Sequence, residues 1–299
     1  FLLLQNSVGV AIALGYDAHP GYGLMAGSIS FAGGHGTAIA WGKVAEDAGL
    51  DGAASLGLAF ATFGLVAGGI VGGPVARILI ARYGITGPGF GASGEAAATS
   101  PDSGSEDGQG WQFQVFITLL MLTLCVSLGD LVNRLLAEHG VRLPGFLTAM
   151  MVGILLTNIA DGMRRPLNTA VIDKFGTIAL SLFLAMSMMA IQLWTLANSA
   201  SAIMVVLVLQ VLLMTLFAIW VVFRVMGRDY DAVVIAAGFV GFGLGATPVA
   251  IANMNAVTSA YGPSTKAFLV IPLVGAFFID ILNAGTIQFF IDLIRNYLL

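Results

Sequence analysis

Two glycine-rich runs in this chain each close on a threonine that heads a short apolar stretch: FAGGHGTAIAW at residues 31–41 and FGLGATPVAIA at 242–252. Backbone amides at the start of a helix have no intrahelical acceptor, and they carry the positive end of the peptide dipole. A helix that begins at such a turn is therefore an anion site that needs no charged side chain. Thr37 and Thr247 are expected to act as N-caps of the two following helices, with Pro248 at the first helical position. Gly33, Gly34, Gly36, Gly243 and Gly245 permit the turns and let a solute approach the backbone. His35 could meet a second carboxylate, and Ala246 and Asn253 complete the lining at the second turn. The chemistry expected of the pair is capture of a carboxylate.

Hard oxygens accompany both turns. Ser28, Ser30, Thr37, Thr247, Asn253 and Asn255 could join freed carbonyls in a cage for Na⁺. Asp280 lies 14 residues beyond Lys266, about 21 Å along a helix, and so deep in hydrocarbon if that helix spans a membrane. An acid at that depth is a functional candidate. It could hold the coupling cation or the ammonium of an amino-acid substrate, and Asn283, three residues on, shares its face.

The elements that must position these residues are membrane helices. Of the 299 residues, 58% are hydrophobic and 9% charged, against about 25% charged in soluble domains. Apolar runs recur near the roughly 20 residues that cross hydrocarbon, without the alternation of a barrel strand. Full spans are predicted at 55–82, 113–136, 144–162, 175–197, 201–224 and 266–292, and residues 1–15 end another. Regions 18–50 and 231–262 each consist of two apolar arms too short to cross, joined by glycines. They are predicted to be re-entrant hairpins, because irregular backbone survives at membrane depth only where protein or water covers it. Residues 84–110, rich in Gly, Ser, Pro and acids, are expected to form a flexible linker. The one cysteine, Cys125, can form no intrachain disulfide and is expected to pack. No basic patch points to nucleic acid, and no metal cluster or catalytic dyad points to an enzyme.

The two halves match in order. Gln5 answers Gln210, Tyr16-Asp17-Ala18 answers Tyr230-Asp231-Ala232, Thr37 answers Thr247, and AFATFGLV from Ala59 answers AFLVIPLV from Ala267. This is expected to be a repeat of five spans and one hairpin, incomplete in the first half, whose start would fall about 90 residues before Phe1. Residues 1–83 would close the first repeat and 111–299 form the second. An odd span number inverts the second repeat. Lys and Arg collect on the cytoplasmic side; with the linker inside, Arg77, Arg82, Arg164, Arg165, Lys174, Arg224, Arg228 and Lys266 fall inside, and Arg134, Arg142 and Arg295 outside. The C-terminus is then external, Lys43 alone sits within a hairpin arm, and Asp130 is expected to pair with Arg134. Inverted repeats with broken helices at the midplane are the build of secondary transporters.

The blocks GSISFAGGHGTAIAW, ATFGLVAGGIVGGPVAR, ALSLFLAMSMMAIQLW, YDAVVIAAGFVGFGLGATPVAIANMNAV and GPSTKAFLVIPLVGAFFIDILNA closely resemble the bacterial glutamate:Na⁺ symporter family, over about Phe1 to Asp292. The resemblance implies an inner-membrane, ten-span carrier of L- and D-glutamate coupled to Na⁺, dimeric, moving a transport domain against a scaffold, and beginning some 90 to 100 residues upstream. Where the family pattern would put histidine and cysteine after AAG, this chain has Phe239 and Val240, which bears on fine specificity. Open beside that reading are a Na⁺- or H⁺-coupled carrier of another carboxylate such as citrate or malate, and a channel, which would show flux without saturation.

Overall fold

The computed structural model describes residues 1–89, 108–138, 145–164, 167–190 and 200–297. Among them all regular structure is helical, as a membrane solvent demands, because a helix satisfies its backbone groups within its own segment. The expected linker residues 90–107, Arg142, Arg165 and the 191–197 end of one expected span lie outside the described residues. Helices Ala53–Tyr83, Trp111–Glu138, Gly145–Gly162 and Ala200–Val225 are, among the described residues, long and apolar enough to cross a membrane.

The backbone forms two compact units. The first combines residues Phe1–Gly94 with Ala190–Leu299. It opens with α1 (Leu2–Gly15) and α2 (Pro20–Leu24), which runs on into a wide π turn at Met25–Ile29. Next come α3 (Gly34–Asp47) and the long α4 (Ala53–Tyr83). From the chain's second half come α8 (Ala200–Val225), α9 (Tyr230–Leu244), α10 (Thr247–Tyr261), α11 (Thr265–Leu273) and α12 (Ile279–Tyr297), the last two joined by a π turn at Val274–Phe278. α3, α9 and α10 have 14, 15 and 15 residues, about 22 Å of helix against roughly 30 Å of hydrocarbon. Three of the expected short arms are therefore helices of this length, and the expected last span carries a π turn just before Asp280.

A glycine seam on α4 explains how α9 and α10 pack. Gly64, Gly68 and Gly72 repeat every fourth residue and share one face. A Cβ on Gly68 would stand 3.2 Å from Leu244 Cβ and 3.3 Å from the Gly241 carbonyl; one on Gly64 would collide with the Leu244 carbonyl, and one on Gly72 with the Asn253 amide. Around this seam Val233, Val234, Ala236, Ala237 and Leu244 are fully buried. Phe239 joins an aromatic group with Phe1, Phe217 and Phe242, at ring-centre distances of 5.3, 5.8 and 5.1 Å.

The outer ends of the short arms are tied by side chains. His19 Nδ1 accepts from the Gly21 amide at 3.0 Å, Asp229 Oδ1 from Ala232 at 2.8 Å, and Glu46 Oε1 from Ala54 at 3.0 Å. The Ser264 hydroxyl donates to Asp231 at 2.7 Å and accepts from the Ala267 amide at 3.4 Å. Tyr22 donates to the Asp51 carbonyl at 2.9 Å, and Tyr230 to the Gly262 carbonyl. Each clasps the loop after its pair of arms. The sequence match of Tyr16 to Tyr230 is thus corrected at this point: Tyr16 follows the last residue of α1, Tyr230 starts α9, and Tyr22 makes the bond that answers Tyr230. Residues 87–89, the start of the expected linker, lie against Tyr261 and Gly262.

The second unit, within Glu95–Met189, contains α5 (Gly108–Glu138), α6 (Gly145–Gly162) and α7 (Thr169–Ala190). Residues 108–110, assigned to the end of the expected linker, are instead the first residues of α5. A Cβ on Gly129 would sit 2.5 Å from Ala149 Cα, so α5 and α6 touch at their backbones. Asp130 and Arg134 pair at 2.6 Å, as expected from their spacing. Large apolar side chains, including Phe113, Phe116 and Val126, are exposed here, which suits lipid contact.

Candidate functional site

Both glycine turns lie in the first unit, and they meet. Gly34 has φ of +67°, and a Cβ built on it would stand 3.2 Å from the Gly245 carbonyl. The first turn is carried by backbone bonds from Gly33 N to Ser28 O at 2.9 Å and from Gly34 N to Ser30 O at 3.1 Å. A side chain at Gly33 would overlap Ile29 O and Thr37, 2.6 Å from each. Gly36 differs: nothing lies within 4 Å of its Cβ position, so it borders open space.

The expected threonine caps are not formed. Gly33 occupies the N-cap of α3 and Ala246 that of α10, and neither end has a side-chain cap. The left-handed Gly34 lets α3 begin three residues before Thr37, and α10 begins at Thr247 itself, which leaves each hydroxyl inside the first turn. Among the described residues, the amides of His35, Gly36 and Thr247, in the first turns of α3 and α10, find no acceptor in the preceding turn. The contrast with the outer ends of the arms is plain, since those ends are closed by His19, Glu46, Asp229 and Ser264. The two ends that meet offer unpaired donors and a positive dipole end to one place.

His35 is buried, and its Nε2 lies 3.1 Å from Thr62 Oγ1. That hydroxyl donates to Leu58 O at 2.8 Å, so the imidazole nitrogen is the donor and the ring is tethered to α4. Thr247 reaches α11–α12: a Cβ on Gly275 would sit 2.9 Å from its Oγ1. Gly245 leans on α4, 2.9 Å from Leu65 Cα by the same measure, and Gly243 is buried against Met214 and Phe1 with its carbonyl accepting from Gln5 Nε2 at 2.9 Å. Asn253 is a strut, its Nδ2 donating to Gly68 O at 2.9 Å and Ala237 O at 3.3 Å.

Of the oxygens considered for a cation, Ser28 and Asn283 come together, and Ser30 follows Ser28 on the same turn. Ser28 and Ser30 are fully buried, and Asn283 Nδ2 donates to Ser28 O at 3.1 Å. Asp280 is half-buried on α12, between Gly275, which faces Thr247, and Asn283, which faces Ser28. Asn283 therefore turns to Ser28 and not to Asp280. Asn255 is exposed and takes no part in this group. Three residues not singled out from sequence as site residues adjoin it: Asn6, whose Oδ1 accepts from Ser28 N at 2.7 Å; Gln210, whose Nε2 donates to Ala26 O and Gln5 O at 2.9 Å each; and Gln5. Their signal is a lone amide inside an otherwise apolar span, where an unsatisfied polar group is costly.

Comparison with known proteins bears on what this arrangement serves. A family model described as sodium/glutamate symporter matches residues 1–263. A sodium/glutamate symporter of Haemophilus influenzae is 41% identical over 298 residues, covering 95% of this chain and 71% of that protein. One of Escherichia coli K12 is 44% identical over 297 residues, covering 98% and 73%. No solved structure matches the chain. With the family model covering most of its length and relatives of this similarity along nearly all of it, the chain belongs to the sodium/glutamate symporter family.

Proposed function

We propose that this protein carries glutamate across the inner membrane with Na⁺, by alternating access to a midplane site built where its two glycine turns meet. Membership of a symporter family makes it a multi-pass membrane transporter and not an enzyme. The finer reading is supported above all by one observation: two uncapped helix starts, from segments about two hundred residues apart, approach within contact at Gly34 and Gly245. Helices of 14 and 15 residues cannot span on their own, which favours re-entrant hairpins inside an inverted repeat.

In this reading the amides of His35, Gly36 and Thr247 bind the substrate carboxylates in a region where water competes weakly, with the Thr37 hydroxyl beside them. Gly33, Gly34, Gly243, Gly245 and Ala246 form the turns, and Asn253 fixes the second against α4. Ser28, Ser30 and Asn283 hold Na⁺. Asp280 receives the substrate ammonium. Residues between α4 and α5 form the cytoplasmic linker between the halves, the C-terminus is external, and two copies form the working dimer.

Uptake of radiolabelled glutamate into proteoliposomes, with the carrier made from its whole reading frame, tests the proposal. An inward Na⁺ gradient should drive saturable uptake that D-glutamate competes, and citrate or malate should not. Uptake driven by a proton gradient without Na⁺, or competed by citrate alone, would replace it with the other carboxylate carrier.

A further inference from the structure

The buried polar atoms left without a partner in the first unit are unequally divided. Gln5 Oε1, Ser28 Oγ, Ser30 Oγ, Gln210 Oε1 and Asn283 Oδ1 are oxygens, and Asn6 Nδ2 is the one nitrogen among the described residues there. All six residues are at most 2% exposed. Gln5, Asn6, Gln210 and Asn283 border the backbone stretch Ala26–Ser28, and Ser30 closes it on the side facing Gly57 of α4. Gln210 is fastened to Ala26 O, Asn6 to Ser28 N, Asn283 to Ser28 O, and Gln5 to Gln210 through its own carbonyl. In the middle of that stretch Gly27 leaves the helical path, at φ −117° and ψ −140°.

The side chains cannot satisfy each other by turning over. Each amide has its nitrogen, or for Asn6 its oxygen, committed to a backbone group, which fixes where the other end points. The two serine hydroxyls and the Asn6 amide could donate, yet none of the five oxygens has a protein hydrogen-bond partner, which leaves a set of open oxygens. It suits a cation, which satisfies several oxygens at once and supplies no competing acceptor. The ligands are neutral, and no group of three or more acidic, histidine or cysteine side chains that could hold a metal occurs among the described residues. Divalent ions of this hardness take carboxylates, so the set fits a monovalent ion.

We infer that the coupling cation binds around Ala26–Ser30, with Gln5 and Gln210 contributing amide oxygens beside Ser28, Ser30 and Asn283, and that Asp280 and Asn255 stand outside this cage. The assignment of a coupling role rests on the symport reading above; the binding site itself does not. Gln5 also donates to Gly243 O, at the foot of the second turn, so one side chain touches both the cation cage and the second hairpin. Because the cage is neutral, the bound ion adds a full positive charge to the arm whose free amides start at His35. Cation and carboxylate then strengthen each other's binding, and linkage requires the effect to be reciprocal.

The test uses the whole carrier in detergent without glutamate, titrated with NaCl against choline chloride at constant ionic strength, with the thermal unfolding midpoint as readout. Na⁺ is expected to raise the midpoint saturably, while Ca²⁺ and K⁺ do not. Ser30→Ala and Gln210→Leu should each raise the half-saturating Na⁺ concentration at least about tenfold, and Asp280→Asn should leave it within about threefold. If Gln210→Leu fails to fold, Ser30→Ala decides, since it removes one small hydroxyl. A wild-type half-saturation in Ser30→Ala, or a tenfold shift in Asp280→Asn, overturns the inference. Saturable Na⁺ stabilisation in a protein that takes up no glutamate supports the cage and removes the transport reading.

Discussion

Gly34→Val is expected to lower sodium-driven glutamate uptake by at least about 100-fold in proteoliposomes, with the protein still folded and inserted. The reason is twofold. Gly34 sits at φ +67°, a conformation that costs an ordinary L-residue about 1–2 kcal/mol and a β-branched one more. Its Cβ would also meet the Gly245 carbonyl at 3.2 Å, tighter than a methyl-bearing carbon accepts without movement. The least resisted movement parts the two turns, and displacing binding groups by an ångström is enough to lose two orders of magnitude. Gly36→Ala supplies the stability control, because nothing lies within 4 Å of that Cβ; its unfolding free energy should stay within about 0.5 kcal/mol of the parent. Uptake near the parent level in Gly34→Val would show that contact between the turns is dispensable.

Asp280→Asn is expected to cut uptake at least about tenfold, mainly through a higher half-saturating glutamate concentration. The carboxyl is half-buried on an apolar helix and has no hydrogen-bond partner among the described residues. It lies directly after the π turn at Val274–Phe278 and between the contacts to Thr247 and Ser28. An acid serving only structure at that depth would be paired. The amide keeps the shape and removes the charge, so an unaltered glutamate half-saturation and sodium dependence would discard the role.

Much of this was legible in the residues. Arms too short to span, glycines at their junctions and the GGIVGGP run on α4 announced the short paired helices and the close packing before any coordinates, because length and side-chain size act locally. The caps were not legible. Threonine is a strong N-cap residue in general, but a left-handed glycine upstream started α3 early and put Thr37 inside the helix. Asn255 lies two residues from Asn253, and residues two apart on a helix do not share a face, so the structure buries Asn253 and exposes Asn255. Gln5 and Gln210 were recognised as a matched pair without chemistry assigned. Their partners lie on other elements, with Gln5 bonded to Gly243 and Gln210 to Ala26, and no pattern within one helix reports such contacts.

The most direct measurement places a single cysteine at Gly36 in a Cys125→Ser background, since Cys125 is the one native thiol, and follows its reaction with a membrane-impermeant maleimide added to either face of oriented vesicles. A turn at the midplane that opens alternately to each side should be labelled from both faces, and Na⁺ with glutamate should protect it. Labelling from one face only, at the rate of a surface residue and indifferent to both solutes, would contradict it.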